Sequence, residues 1–197
     1  MKPKMKPKMI MMIRHGEKTV NGTDLHVDLS PAGQVRANEL PNFFMKHMPS
    51  DLKLPDVLVA MKQKSPKDSD RPVETITPLA TALDLPIHAD FTQEEHLQVA
   101  NKIETLGDNR TVLLCWEHCN LVSIAQILGA PVTYWGLDPS TDASNNGDCF
   151  DAIWVLSRDE AHRHKFRIYR EFDVLPPNNL IDYTNALPTP VFSVDLD

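Results

Sequence analysis

MIMMIRHGEK, residues 9–18, is the stretch on which the fold turns. Met9 to Ile13 is an unbroken apolar run, and a short run of this kind bounded by polar residues fits a buried strand. It stops abruptly at Arg14-His15-Gly16-Glu17. Arg14 brings a permanent charge on a planar fork of donors that suits phosphate. Gly16 allows a tight turn or the close approach of a ligand. An arbitrary histidine is more often a surface or capping residue. Set between a cation and a glycine at the end of a buried run, His15 gains a second reading. A neutral imidazole beside an anion clamp can attack phosphorus and carry a phosphoryl group.

Working outward, a second strand end has the same character. TVLLCW, Thr111 to Trp116, is the clearest strand pattern in the chain, and it runs into Glu117-His118. Between these two ends the chain alternates. Ser30 and Pro31 form a helix start, with Ser30 as N-cap. That helix is predicted to run to about His47, with Val35, Leu40, Phe43 and Phe44 inward. Val57 to Ala60 reads as a strand, and Met61 to Asp70 as a polar, lysine-rich loop. Pro72 opens a helix through Leu83 with Ile76, Leu79 and Ala80 inward. Gln93 to Leu106 is helical, and a further helix over Leu121–Leu128 stops at Gly129. Pro131 to Asp148 is a long irregular segment. Ala152–Ser157 and Phe166–Phe172 suggest a hairpin at a sheet edge. Alternating strands and helices predict an α/β protein of three-layer α/β/α form, its central sheet mostly parallel with helices on both faces. Ligands of such sheets bind beyond the carboxyl ends of the strands. Arg14-His15 and Glu117-His118 would then border one site.

The composition narrows the rest. The chain has 197 residues, 42% of them apolar and 24% charged, as expected of one globular domain. Net charge is −7, which argues against nucleic acid and anionic membranes as partners. No apolar run approaches the roughly 20 residues of a membrane helix. Residues 1–8, MKPKMKPK, read as a flexible basic tail, 9–175 as a single domain, and 176–197 as an extended C-terminal segment draped over the surface. Only Met9–Ile13 follow the basic start, too few for the roughly 7–15 apolar residues of a signal peptide, so a cytoplasmic location is expected. The odd set Cys115, Cys119 and Cys149 suits reduced thiols. Cys115 and Cys119 beside His118 raise a zinc site, but no second close pair completes the four ligands of a structural one. Oligomeric state is not legible.

IRHGEK at Ile13–Lys18 resembles the histidine phosphatase superfamily, also called phosphoglycerate-mutase-like, whose hallmark is an RHG tripeptide at the end of the first strand. LSPAGQVRA at Leu29–Ala37 is similar to the family's first-helix segment. SDRPVETITPLATAL at Ser69–Leu83 is similar to the segment that supplies its second arginine, and CWEH at Cys115–His118 to the strand end bearing its second histidine. The likeness spans roughly residues 9–130. It implies a phosphoglycerate-mutase-like fold in which His15 is the nucleophile and forms a phosphohistidine. Arg14, Arg71 and His118 would hold the phosphoryl oxygens of a small phosphorylated substrate. Neither cofactor nor metal is implied, since positioning and fixed charge supply most of the rate in phosphoryl transfer.

The leaving alkoxide needs a proton. In one branch of the family an acidic residue directly follows the second histidine, where this chain has Cys119. In the other branch the acid comes from between the second arginine and the second histidine, an interval that holds Glu94 and Glu95. Glu117 is the first candidate, with Glu95 and Glu17 as alternatives. Glu74 is assigned to support of Arg71 or of its helix's first turn. Lys18, Lys62, Lys64 and Lys67 read as a solvated basic rim. Trp116, Trp135 and Trp154 read as packing, with Trp135 placed to cover an apolar part of a substrate. The expected activity is metal-independent hydrolysis of a phosphomonoester, of the histidine acid phosphatase type. A mutase is the alternative, less favoured because the family's mutases are longer chains with extra segments closing over the substrate. A non-catalytic phosphate-binding or regulatory module is the third reading.

Overall fold

The computed structural model describes residues 6–18, 28–107, 109–136, 149–159, 164–171 and 192–196. The described strands are β1 (Met9–Arg14), β2 (Val57–Met61), β3 (Ile87–Phe91), β4 (Thr111–Trp116), β5 (Ala152–Arg158), β6 (His164–Arg170) and β7 (Phe192–Leu196). The helices are α1 (Pro31–Asn42), α2 (Arg71–Leu83), α3 (His96–Ile103) and α4 (His118–Ile127). Together the strands form a seven-stranded sheet in the order β3-β2-β4-β1-β5-β6-β7. β1 is central, parallel to β4 with Arg14 opposite Trp116, and antiparallel to β5. The sheet is mixed, which corrects the expectation of a mostly parallel one. Parallel pairing holds from β3 to β1, where helices make the crossovers, and antiparallel pairing from β1 to β7. A parallel neighbour needs a crossover of a dozen or more residues. β5 and β6 instead fold back on each other as a ribbon.

Every residue of β1 is buried. Alternate side chains therefore enter two apolar clusters, as expected of a strand covered on both faces. Ile10 and Met12 join Val99, Ile103, Leu121 and Ile124, from α3 and α4. Met9, Met11 and Ile13 join Leu40, Ile76 and Leu79, from α1 and α2. Ser30 caps α1 by accepting from the Gly33 N–H at 3.1 Å. The helix does not continue as one α-helix to His47. It gives way to a π-helical turn over Phe43–His47. Pro41 lies inside the last turn of α1, has no N–H to give, and crowds the carbonyl four residues back. Gly129, at φ +97°, ends the α4 segment in a conformation that glycine adopts without strain.

Three other expectations change. β3 was not foreseen, because IHADF alternates between half-buried and exposed residues and carries little apolar signal. Part of the C-terminal segment, Phe192–Leu196, extends the sheet as β7 rather than draping over it. Residues 6–8, assigned from sequence to the flexible tail, are held to the fold. Lys8 donates its backbone N–H to Arg110 and accepts from Arg158, and Lys6 pairs with Glu104 at 2.7 Å. Residues 1–5 lie outside the described residues.

Candidate active site

The loop after β1 is fixed on three sides. The His15 N–H donates to the Trp116 carbonyl at 3.0 Å, which joins the ends of β1 and β4. The Gly16 N–H donates to Thr75 Oγ1 at 2.8 Å, and the Thr75 hydroxyl donates to the Arg71 carbonyl at 2.7 Å. Thr75 thus ties the His15 loop to the first turn of α2. Close packing against α1 completes the set. A Cβ on Gly33 would stand 2.5 Å from the Glu17 carbonyl oxygen, and one on Gly16 would stand 3.1 Å from Gly33. Two glycines therefore let the loop lie directly on the helix.

Arg14 and His15 are buried, at 2% and 4% exposure. His15 Nδ1 lies 2.7 Å from its neighbour's carbonyl, Gly16 O. A carbonyl only accepts, so Nδ1 carries the proton and Nε2 keeps its lone pair. Burial above all, with Arg71, Arg14 and His118 acting in the same direction and the Gly16 hydrogen bond opposing, brings the His15 pKa down to about 3. The imidazole is therefore neutral at physiological pH, with Nε2 as the open nucleophilic atom. The Arg14 guanidinium stacks on Phe150, 4.0 Å from its ring centroid, and the His15 ring lies 6.3 Å from the same ring. Nothing in the sequence signalled Phe150.

Arg71 is the first residue of α2. Burial lowers its pKa, opposed by Glu74 and Asp28, and a guanidinium stays charged through such a shift. Glu74 accepts the Leu29 N–H at 2.7 Å, so it holds the approach to α1 while facing Arg71. His118 opens α4, and its pKa is lowered by burial and by Arg14, with Glu117 opposing. Two guanidiniums and a second imidazole thus act on His15 from the ends of β1, α2 and α4.

The glutamates are arranged differently. Both Glu117 oxygens accept backbone N–H groups, from Asn120 at 2.6 Å and Cys119 at 2.9 Å. Glu117 is the N-cap of α4. Glu95 accepts from the Thr92 N–H and hydroxyl, each at 2.8 Å, and these bonds lower its pKa. Glu17 grips Arg36 through both oxygens, at 2.6 to 3.1 Å. Each carboxylate proposed as acid from the sequence has a structural bond to keep, and none is among the charges acting on His15. Trp135 is also moved. It is buried against Trp154, ring centroids 4.6 Å apart, and donates to the Cys149 carbonyl, so it packs the core rather than covering a substrate. Residues 137–148 of the same segment lie outside the described residues. Of the basic rim, Lys64 pairs with Glu94 at 2.9 Å. Cys115 is fully buried while Cys119 is exposed, so the two do not converge on a zinc ion as the sequence hinted.

Among the described residues no helix is long and apolar enough to cross a membrane. No family model matches the chain, and no curated protein matches it. Among solved structures, the chain is similar to two phosphatases. One is a mycobacterial glucosyl-3-phosphoglycerate phosphatase in complex with inorganic phosphate, at TM-score 0.48 and 15% identity, over 82% of this chain and 95% of that one. The other is a putative phosphohistidine phosphatase SixA from Nakamurella multipartitia, at TM-score 0.41 and 16% identity, over 77% of this chain and 84% of that one.

Proposed function

We propose that the protein is a metal-independent phosphatase of the histidine phosphatase type, which hydrolyses a small phosphomonoester through a phosphohistidine on His15. The observation that carries this reading is the state of His15: buried, neutral, proton fixed on Nδ1 by Gly16, Nε2 open. In the first step Nε2 attacks phosphorus, the N–P bond forms, and the P–O bond to the leaving alkoxide breaks, the alkoxide taking a proton from solvent. In the second, water attacks phosphorus and gives up a proton to solvent, the N–P bond breaks, and inorganic phosphate leaves with Nε2 regenerated. Arg14, Arg71 and His118 hold the three equatorial oxygens, where negative charge spreads in the transition state. A dianionic phosphoryl group also offsets the crowding of positive charge that, together with burial, keeps His15 neutral. The split of the core into clusters under α1–α2 and under α3–α4 supports the three-layer α/β/α arrangement of that family. Three free cysteines are in keeping with a reducing, cytoplasmic setting.

The test is hydrolysis of an aryl phosphate between about pH 5 and 8, wild type beside His15→Ala. Turnover in the first and none in the folded second is expected. Equal turnover in both would remove His15 from the mechanism. A phosphate-binding module without turnover is the second reading, favoured by the structural bonds on Glu117, Glu95 and Glu17. It predicts protection of the fold by phosphate with no hydrolysis by the wild type.

A further inference from the structure

Cys119 stands beside the second histidine, and its surroundings have a chemistry the phosphatase reading does not use. Glu117, His118 and Cys119 each offer one ligand atom, and the three atoms lie within 4.8 Å of one another. Cys119 Sγ is 3.3 Å from His118 Nε2, and Glu117 Oε2 is 3.9 Å from His118 Nδ1. A sulfur and a nitrogen bound to one tetrahedral zinc ion stand about 3.5 Å apart, given bond lengths of about 2.3 and 2.0 Å. The thiol and the imidazole therefore already have nearly the separation a shared metal requires. The sulfur faces Nε2, so Nε2 is the nitrogen offered to a metal, and His118 Nδ1, buried with no hydrogen-bond partner among the described residues, keeps the proton. Glu117 caps α4, yet a carboxylate has about four acceptor positions and can cap and ligate together. Cys119 is exposed, so the group is open to solvent. Sulfur, imidazole and carboxylate with an open fourth position form a donor set suited to Zn²⁺ and poorly suited to Mg²⁺ or Ca²⁺.

We propose that Glu117, His118 and Cys119 form an inhibitory site for Zn²⁺ or a cation of the same thiophilic class. The inhibition rests on the phosphatase reading; the site itself does not. Binding forms the metal–sulfur bond and releases the Cys119 thiol proton to solvent. It also draws His118 into the metal's coordination, so the imidazole no longer serves the phosphoryl oxygens. The cation competes with the substrate for one side chain, and a chelator reverses it.

Cd²⁺ serves as the spectroscopic probe, titrated into the full chain while the thiolate-to-metal absorption in the ultraviolet is followed. Wild type and Cys149→Ser develop the band and saturate at a single equivalent. Cys119→Ser does not, because Cys115 is sealed in the core. Zn²⁺ inhibits aryl phosphate hydrolysis by the wild type, a chelator restores it, and the concentration for half-inhibition rises at least about tenfold in Cys119→Ser. A missing band, a band equal in Cys119→Ser and wild type, or equal inhibition of the two overturns the proposal. The readouts separate the two readings. A Cys119-dependent band on a protein that hydrolyses nothing upholds the metal site and removes the phosphatase. Hydrolysis without a band upholds the phosphatase and removes the site.

Discussion

His15 has one nitrogen bound to its own loop and the other left open, and this division depends on groups beyond the imidazole itself. Thr75 is the chief of them. It joins the Gly16 N–H to the Arg71 carbonyl, so the His15 loop and Arg71 share one anchor. Thr75→Val keeps the shape and removes both bonds. It is expected to lower stability by about 1–3 kcal/mol, the penalty for a buried N–H left unpaired. It should also lower kcat more than it raises KM, since alignment is lost while the charges remain. A variant with wild-type kcat would show that Thr75 serves the fold alone. Arg71→Ala should weaken phosphate or vanadate binding by about 1.5–3 kcal/mol, the range for a charge-assisted bond, read by calorimetry. Arg14, His15, Arg71 and His118 stood out in the sequence because each is a chemically distinctive residue at the end of a recognisable element. Thr75 did not, since a threonine one turn into a helix has no mark of its own. Phe150 did not, because it lies far along the chain from the Arg14 it stacks on.

At the scale of the element, α4 shows why the acid was hard to read. The sequence puts the start of this helix at Leu121, yet it starts at His118 with Glu117 as cap. Glutamate is not among the favoured N-cap residues, so the signal was absent. The same fact bears on chemistry. A carboxylate holding two backbone N–H groups at the positive end of a helix suits capping better than proton donation. Glu117→Gln keeps one acceptor oxygen and cannot donate a carboxylic proton. It is expected to retain most of the aryl phosphate activity. Glu117→Ala loses the cap, about 1 kcal/mol of stability, and the placement of His118. Equal collapse of activity in both variants would restore Glu117 as the acid. Elements read well where burial is uniform, as in β1 and β4, and poorly where it alternates, as in β3. The π-helical turn after α1 follows from Pro41, but proline in a helix's last turn also fits a plain ending, and the sequence does not choose between them.

Across the whole molecule, one guanidinium joins three distant parts of the chain. Arg36 of α1 holds Glu17, just past the His15 loop, and Glu171, just past β6, at 2.6 and 3.5 Å. None of this was legible, because its members are far apart in sequence. A single cation cannot neutralise two carboxylates in a buried place. Glu17 takes the bidentate contact, and burial pushes Glu171 up to about 8 from an ordinary 4.5. Folded protein therefore keeps a proton on Glu171 that the unfolded chain gives up above pH 4.5. Stability from this group is complete below that value and declines as pH rises to about 8, at up to about 1.4 kcal/mol per unit. His15 acts with the opposite sign. Its folded pKa of about 3 lies below the ordinary 6.5, so stability declines as pH falls from 6.5 toward 3. Between 4.5 and 6.5 the two slopes cancel, and these groups together give a plateau that falls on both sides. Glu171→Gln replaces the protonated acid by a neutral amide of the same shape. Urea unfolding across this range should show the alkaline fall flattened in Glu171→Gln and the acid fall kept. His15→Gln should do the reverse. An alkaline slope unchanged in Glu171→Gln would mean that Arg36 neutralises both carboxylates and that Glu171 holds no proton.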